Sequence, residues 1–160
     1  MYSKKTKTLT LVGPVNDEMF KVLVRAVEVT PSTIILNTGG GCIYTALAMY
    51  DIIRSEMPKV QIITAGQCMS AGMIILQAGY KRFAYENTQL MVHYGEEGNN
   101  SMATVKHNSI LTDTHAKIIA KRSLVTEKKI KSNWFWKDTF LTTEQALNYG
   151  LIDYILEVQE

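Results

Sequence analysis

The sequence predicts an α/β fold with a largely parallel sheet. Short apolar segments alternate with amphipathic helical patterns along the chain, which is the arrangement that a parallel sheet requires. Ile34–Leu36 is apolar without interruption, which is typical of a strand covered on both faces. Glycines stand at two predicted strand-to-helix junctions, in Asn37–Gly41 and in Gly66–Gly72. With 160 residues and no repeat, linker or low-complexity tract, residues 1–160 are expected to form a single domain.

Composition and charge exclude several classes of function. The net charge of +2 indicates neither a nucleic-acid surface nor a preference for acidic substrates. Cys42 and Cys68 are too few for a disulfide framework or a zinc site. We expect no metal and no cofactor. Met1–Lys5 lacks the apolar core of a signal peptide, and no apolar run is long enough to span a bilayer. We therefore expect a cytoplasmic protein that binds neither nucleic acid nor membrane.

The first half of the chain is predicted to contain two strands, each followed by a helix. Thr6–Gly13 alternates polar and apolar residues, which predicts a half-buried strand. Asn16 stands in the position of an N-cap and is followed by two acidic residues, which suit the positive end of a helix dipole. This helix ends before Pro31. After the strand Ile34–Leu36, a second helix is expected to end near Pro58.

The second half continues the alternation. The predicted strands are Val60–Ala65, Arg82–Tyr85, Gln89–His93 and Leu151–Ile155. The predicted helices are Met73–Ala78, a long helix over Met102–Val125, a short charged helix capped by Thr126, and a last helix that ends at Gly150. Gly79 is expected to close the first of these helices in the C′ role. Thr142–Gln145 is a capping-box signal for the last one, and Gly95–Ser101 is predicted to be a polar loop.

Ser70 lies where a buried strand changes into a buried helix. A hydroxyl there is exposed at a helix N-terminus, beside free N–H groups that stabilise an oxyanion, which is what a serine nucleophile requires. The alternative is an ordinary N-cap, the usual role of serine at the start of a helix. The stretch is not the Gly-x-Ser-x-Gly elbow of the α/β-hydrolases, because Cys68 occupies the position of its first glycine. Cys68 itself is expected to pack as a small apolar residue.

A serine nucleophile needs a general base and a group that orients the base. Of the three histidines, His107 and His115 fall in the long helical pattern, where a surface or packed role is expected. His93 ends an apolar strand, so its ring is expected to face the crevice at the carboxyl ends of the strands. Asp138 is, by spacing alone, one acid among fifteen. Asn37–Gly41 is either a flexible loop or a backbone that another group approaches closely.

Five motifs occur in a fixed order along the chain. They are Asn37–Gly41, Gly66–Gly72, Met91–His93, Asp138–Ala146 and Asn148–Asp153. Together they resemble the proteolytic subunits of the Clp protease (ClpP), which are serine peptidases of the ClpP/crotonase fold, and the resemblance runs from about Leu9 to Ile155. It implies repeated β-β-α units, a largely parallel sheet and a long protruding helix.

The resemblance also implies roles for individual residues. Ser70 matches the nucleophile, His93 the general base and Asp138 the acid that orients the imidazole. The backbone N–H groups of Gly41 and Ala71 match the two donors of the oxyanion hole. These roles agree with the position of Ser70 at a helix start and with the glycine-rich backbone near it.

The sequence departs from the family pattern in four places. Gly39 replaces a proline, which gives the oxyanion loop a less rigid backbone, and Ala71 replaces a methionine in the pocket wall. Tyr94–Ser101 replaces a Gln-Pro pair and a glycine-rich strand that binds substrate backbone and contributes to contact between rings. Met1–Lys7 has no counterpart of the N-terminal helix and axial loop that meet the AAA+ unfoldase, so this partner is left open. So short an N-terminus would suit a phage-encoded relative.

We therefore expect a serine endopeptidase of the ATP-dependent type. It would cleave unfolded polypeptides inside a closed ring of identical subunits, by resemblance a heptamer or a stacked double heptamer. Apolar positions on several sides of Met102–Val125 indicate a helix that is either buried in the core of its own subunit or covered by a partner subunit. A strand cannot point all three of the consecutive aromatics Trp134, Phe135 and Trp136 inward, so one side of this segment is expected to meet another subunit or solvent. The alternatives are a proteolytically silent subunit of a mixed ring and a crotonase-type acyl-CoA enzyme. The complete serine, histidine and aspartate set argues against both.

Overall fold

The computed structural model describes residues 1–93 and 102–158, with the backbone alone for residues 102–106. The strands are β1 (Tyr2–Ser3), β2 (Thr8–Val12), β3 (Thr33–Thr38), β4 (Gln61–Met69), β5 (Lys81–Tyr85), β6 (Gln89–Val92), β7 (Thr139–Leu141) and β8 (Tyr154–Leu156). The helices are α1 (Asp17–Val27), α2 (Ile43–Glu56), α3 (Ala71–Ala78), α4 (Met102–Lys121), α5 (Glu127–Lys129) and α6 (Thr143–Asn148), and a π-helix over Ile130–Trp134 follows α5. The predicted α/β architecture is confirmed.

The strands form one mixed sheet in which most neighbours are parallel. Its main path has the order β1-β2-β3-β4-β5-β8, and only the β1–β2 pair on this path is antiparallel. The first half of β4 pairs with β5, whereas its last three residues pair with β6. The change of partner occurs around Gly66, which has a φ of 75°. β6 in turn pairs antiparallel with β7, so β4, β6 and β7 meet at one edge.

Local signals in the sequence account for the starts of three helices. The Asn16 side chain accepts a hydrogen bond from the Met19 N–H at the start of α1, as an N-cap does. Thr142 and Gln145 form the predicted capping box at the start of α6, with both reciprocal hydrogen bonds present. Thr126 caps α5 by accepting from the backbone N–H of Lys129.

The helix α3 is the centre of the hydrophobic core. All of its residues are buried, so it is apolar on every side and packs against α2, β4 and α4 rather than along one face. The side chains of β2, β3 and β4 that face this layer are fully or almost fully buried, and they include Leu9, Leu11, Ile34, Leu36 and Ile62. The start of α3 is therefore fixed firmly relative to the sheet.

Three predictions about the ends of elements were wrong. Gly79 follows α3 in an extended conformation, with φ of −61° and ψ of 139°, instead of the left-handed C′ conformation. Glycine is needed there for space, because a Cβ would lie 2.9 Å from the Ile62 Cγ1. β4 continues to Met69 instead of ending at Ala65, since β6 gives its last residues a new partner. β8 begins at Tyr154, because the chain first turns at Gly150, with a φ of 68°, and buries Leu151 and Ile152.

The aromatic segment is helical, so the expectation that it forms a strand was wrong. Trp134 ends the π-helix, and the N–H of Phe135 donates to the carbonyl of Ile130 at 3.1 Å. Trp134 and Phe135 are buried, whereas Trp136 is 82% exposed. The predicted loop over Gly95–Ser101 lies outside the described residues.

The long helix α4 ends at Lys121, four residues before the predicted end at Val125. Of its apolar residues, Ile119 is buried and Ile118 is half-buried against the core, whereas Ile110 is 56% exposed. For Val105 the structure describes the backbone alone. In the described part of the chain, no helix combines the length and apolarity needed to cross a bilayer.

Candidate active site

Three strand ends place Ser70, His93 and Asp138 at one edge of the sheet. Ser70 follows the last residue of β4, and His93 follows the last residue of the parallel strand β6. Asp138 precedes β7, which runs antiparallel to β6 in a register that pairs Val92 with Thr139. The next position in this register sets His93 opposite Asp138. The predicted location of His93 at the carboxyl end of its strand is confirmed.

The three side chains form a continuous line of hydrogen bonds. Ser70 Oγ lies 2.8 Å from His93 Nε2, and His93 Nδ1 lies 3.0 Å from Asp138 Oδ1. Because a carboxylate accepts from Nδ1, the neutral ring carries its proton there and leaves Nε2 to accept from the Ser70 hydroxyl. The His93 side chain is 29% exposed and that of Asp138 58%, so the line runs from the protein interior to its surface.

Ser70 stands at the N-cap position of α3 but its side chain does not cap the helix. Its backbone has φ of 53° and ψ of −122°, a conformation that costs a residue with a side chain about 1–3 kcal/mol. The strained turn is held by two hydrogen bonds: the Ser70 N–H donates to the carbonyl of Met91 at 2.9 Å, and the Ser70 carbonyl accepts from the N–H of Met73 at 2.9 Å. The side chain is thereby directed to His93. Ser70 therefore occupies the N-cap position without the side-chain hydrogen bond of an ordinary N-cap.

Ala71 is the first residue of α3, so its N–H has no partner within the helix. This donor follows Ser70 directly and lies at the positive end of the helix dipole. Gly72, one residue further, allows the helix to approach β3, because a Cβ there would lie 2.5 Å from Thr38 Cγ2. The start of α3 thus lies against the residue that leads into the glycine loop.

The glycine loop Gly39–Gly41 lies against Ser70. A Cβ on Gly40 would lie 2.7 Å from Ser70 Cβ and 3.2 Å from Ser70 Oγ, so only glycine fits. Thr38 Oγ1 accepts a hydrogen bond from the Gly40 N–H at 3.1 Å. The Gly40 carbonyl accepts from Val15 N–H at 2.8 Å, and the Val15 carbonyl accepts from Cys42 N–H at 2.8 Å. These bonds hold the loop in place.

The N–H of Gly41 is directed away from the contact with Val15. The Gly40 carbonyl faces Val15, and in a trans peptide the following N–H points in the opposite direction. Gly41 has a φ of 146°, and a Cβ on it would lie 2.4 Å from the Val15 carbonyl oxygen. The contributions of Thr38 and Val15 to this loop were not predicted. A threonine before a glycine run is a turn signal that points to Thr38, whereas nothing local to Val15 marks it.

The other histidines and the cysteines are not part of this line. His107 lies on the surface, with Nε2 2.5 Å from the hydroxyl oxygen of Tyr44. His115 is buried, and burial together with the nearby His93 lowers its pKa to about 4. Cys68 is buried, and burial raises its pKa to about 12. The described residues contain no group of three or more His, Cys, Asp or Glu side chains placed to hold a metal ion.

Comparisons with known proteins agree on one family. The family model described as Clp protease matches residues 4–159. A curated ATP-dependent Clp protease proteolytic subunit from Deinococcus radiodurans is 34% identical in an alignment of 129 residues that covers 76% of this chain and 63% of that protein. This chain therefore spans less than two thirds of the length of that relative.

A solved structure supports the same fold. A ClpP1 mutant from Listeria monocytogenes aligns with a TM-score of 0.85 and 24% sequence identity, covering 97% of this chain and 94% of the other. The family match extends over nearly all of the chain, including the strand ends and glycine loop described above. The chain belongs to the Clp protease family.

Proposed function

We propose that this chain is a serine endopeptidase that cleaves unfolded polypeptides inside a ring of identical subunits. The observation that carries the proposal is the line of hydrogen bonds from Ser70 Oγ through the His93 ring to Asp138. Ser70 lies at a strained turn, and its hydroxyl is hydrogen-bonded to an imidazole. This is the arrangement of a serine that a general base activates as a nucleophile.

The proposed reaction begins with attack of Ser70 Oγ on the carbonyl carbon of the scissile peptide. His93 Nε2 takes the hydroxyl proton as the Oγ–C bond forms, and Asp138 stabilises the resulting imidazolium through Nδ1–H. The imidazolium then gives this proton to the leaving amine as the C–N bond breaks. A water molecule, deprotonated by His93, hydrolyses the acyl-enzyme and restores the Ser70 hydroxyl.

Two backbone donors are proposed to stabilise the negative oxygen of the tetrahedral intermediates. The N–H of Ala71 is available at the start of α3, and the N–H of Gly41 is turned away from Val15. The Ser70 N–H is excluded from this role because it donates to Met91. Gly40 brings the loop within contact of Ser70, which a larger residue would prevent.

The confinement of the site in a ring is part of the proposal. His93 and Asp138 are partly open to solvent in the single chain, so an unassembled subunit would expose its active site to other proteins. Apolar side chains are also exposed outside the site, among them Ile110, Leu124 and Trp136. A ring of subunits would cover such residues and enclose the cleavage sites together.

The proteolytically silent alternative predicts a broken or displaced triad. The described geometry has both hydrogen bonds at ordinary lengths, which supports an active subunit. The acyl-CoA alternative rested on the shared fold alone, whereas the chain matches the Clp protease family model over residues 4–159.

A fluorophosphonate probe and a fluorogenic peptide test the proposal. We expect the probe to label the wild type at Ser70 and not to label Ser70→Ala. His93→Ala and Ser70→Ala should each lower kcat by about 10⁶, because triad members act as a unit. Asp138→Asn should lower it by about 10⁴, since the acid only orients and stabilises the imidazole. Ser55→Ala, at an exposed serine on α2, is the matched control and should retain full activity.

Equal labelling of the wild type and Ser70→Ala would refute the assignment of the nucleophile. Full activity in Asp138→Asn would show that Asp138 does not orient the base. An unlabelled and inactive wild type, in its assembled form, would favour the silent subunit.

A further inference from the structure

His115 is a buried histidine that the proposed reaction does not use. It lies on α4 with a fractional exposure of 4%. Its ring lies against the ring of Phe135, with 5.1 Å between centroids and 35° between planes. Within residues 1–93 and 102–158, its Nε2 has no hydrogen-bond partner and no access to solvent. A buried polar atom without a hydrogen-bond partner lowers the stability of the fold. A histidine at such a position therefore needs an explanation, such as a functional role.

Phe135 contacts this histidine and belongs to the segment that leads to the acid of the proposed triad. It caps the π-helix, its N–H donates to the Ile130 carbonyl, and it precedes Asp138 by three residues. A hydrogen bond also closes the turn from Phe135 to Asp138: Thr139 Oγ1 donates to the Trp134 carbonyl at 3.3 Å. π-helical turns inside helices occur frequently at functional sites.

Asp138 depends on this backbone for its position. Its side chain is 58% exposed, so packing around the carboxylate does little to hold it. The strand that follows, β7, has only three residues. The placement of the carboxylate 3.0 Å from His93 Nδ1 therefore depends on the turn before β7 as well as on the strand pairing.

The charge state of His115 fits a packing role. Burial lowers its pKa to about 4, and proximity to His93 contributes in the same direction. The ring is neutral near pH 7, so it packs against an aromatic ring and beside the triad without adding a positive charge next to the general base.

We propose that His115 is a positioning residue for the triad: its ring supports Phe135 and thereby holds Asp138 against His93. The contact also joins α4 to the active site, because His115 is part of α4 and Phe135 is part of the turn that presents Asp138. The inference rests on the proposed function for its kinetic consequence, whereas the geometric consequence for His93 and Asp138 is independent of activity.

Two substitutions distinguish the effect of the His115 ring from the effect of its nitrogen atoms. His115→Phe keeps an aromatic ring against Phe135, and His115→Ala removes it. We expect His115→Ala to lower kcat and the rate of fluorophosphonate labelling by about tenfold or more with KM unchanged, because small misplacements of catalytic groups are costly. His115→Phe should stay within about twofold of the wild type, since it preserves the support.

The same substitutions in an Asp138→Asn background test whether the effect passes through Asp138. There His115→Ala should cause no further loss, because the group that it positions is already disabled. Leu23→Ala is the control for a general loss of stability: Leu23 is fully buried in α1, which packs on α2 and β2. This variant should be less stable and should label at the wild-type rate.

Nuclear magnetic resonance of the histidine ring protons gives a readout that needs no activity. The downfield signal of His93 Nδ1–H, bonded to Asp138, should be present in the wild type and in His115→Phe and weakened in His115→Ala. If His115→Ala does not fold, Phe135→Leu tests the same contact from the other side and should weaken the same signal.

The proposal is overturned if His115→Ala labels at the wild-type rate and retains the His93 signal. It is also overturned if His115→Phe loses as much as His115→Ala, or if His115→Ala causes an equal further loss in the Asp138→Asn background. An unreactive Ser70 in the wild type would refute the proposed function alone, because the ring-proton signals would still report whether His115 holds Asp138 in place.

Discussion

At the scale of single residues, the two cysteines lie near the proposed catalytic groups in opposite environments. Cys68 is buried two residues before Ser70, and burial raises the pKa of its thiol to about 12. Cys42 is exposed at the start of α2, where hydrogen bonds from the Thr45 side chain and from the Thr45 N–H lower its pKa. The thiolate is the reactive form, so reactivity should follow this difference.

We therefore predict that iodoacetamide modifies Cys42 in the native protein and reaches Cys68 only after unfolding. Mass spectrometry before and after denaturation measures both, and Cys42→Ala is the control that should remove native modification. Cys68→Ala should keep peptidase activity, because a protonated buried thiol takes no part in the reaction. Loss of activity in this variant, with the fold intact, would contradict the assignment of Ser70.

His115 should make stability depend on pH in a defined range. Its pKa falls from 6.5 to about 4 on folding because burial disfavours the charged form. Between these values the unfolded chain binds the proton and the folded chain does not, so stability falls as the pH drops from 6.5 to 4. The full effect is about 3 kcal/mol in the free energy of unfolding.

Urea denaturation across this pH range measures that effect. His115→Phe cannot take up a proton at this position, so its free energy of unfolding should fall less than that of the wild type as the pH drops from 6.5 to 4. The matched variant His107→Phe, at an exposed position, should keep the wild-type pH dependence. An unchanged pH dependence in His115→Phe would show that the ring is not held neutral by the fold.

At the scale of elements, the role of the glycine loop between β3 and α2 can be tested by comparing alanine substitutions at Gly40 in the loop and at Gly13 outside it. Gly40 and Gly13 have nearly the same left-handed backbone, with φ of 102° and 107°. A Cβ on Gly13 would have nothing within 4 Å, whereas one on Gly40 would collide with Ser70. Both alanine variants should lose about 1–2 kcal/mol of stability from backbone strain.

Only Gly40→Ala should also lose activity. Its Cβ would displace Ser70 or the loop, and we expect the rate of fluorophosphonate labelling to fall by about 100-fold. Gly13→Ala should label at the wild-type rate. Comparable labelling of the two variants would show that close approach of the loop to Ser70 is not needed.

At the scale of the whole molecule, an ion pair between the buried Arg82 and the half-buried Asp153 joins the C-terminal part of the chain to the core. The buried Arg82 guanidinium donates to both carboxylate oxygens of Asp153, at 2.6 and 3.1 Å, and also to the side chain of Gln77 and the carbonyl of Arg122. Burial opposes ionisation of Asp153, but the hydrogen bonds and charge of Arg82 outweigh it and lower the pKa of the carboxyl.

Breaking this pair from one side should be costly. Asp153→Ala leaves the Arg82 charge buried without its partner, and we expect it to lower the free energy of unfolding by about 3–5 kcal/mol. Asp113→Ala removes the exposed pair with Lys131 and should change the free energy of unfolding far less, because solvent screens exposed charges. Equal effects of the two changes in urea denaturation would show that Arg82 finds other partners.

Assembly is tested by the two tryptophans that end and follow the π-helix. Trp136 is 82% exposed, so Trp136→Ser should leave the subunit folded and weaken the proposed ring. Trp134 is 5% exposed and packs on Tyr149, so Trp134→Ser should unfold the subunit, at a cost of about 3–5 kcal/mol. In sedimentation velocity, the wild type should run as an assembly well above the 18.0 kDa chain. A wild-type monomer at micromolar concentration would refute the ring.

The sequence by itself determined the alternation of strands and helices, the caps at Asn16 and Thr142, and the position of Ser70 at the start of a buried helix. These features depend on residues close together in the chain, where periodicity and hydrogen bonding to the nearest backbone groups decide the structure. The choice of Asp138 among fifteen acids came from the resemblance to a family.

Only the tertiary structure decided which groups meet. His93 faces Asp138, 45 residues later in the chain, because β6 and β7 pair in one register. The Ser70 side chain bonds to His93 instead of capping α3, because the chain around it takes a strained turn held by Met91. Two of the three consecutive aromatics point inward because that segment is a π-helix packed on α4 and not a strand. Such pairings depend on contacts between segments that are distant in the chain, and the local propensity of each segment does not determine them.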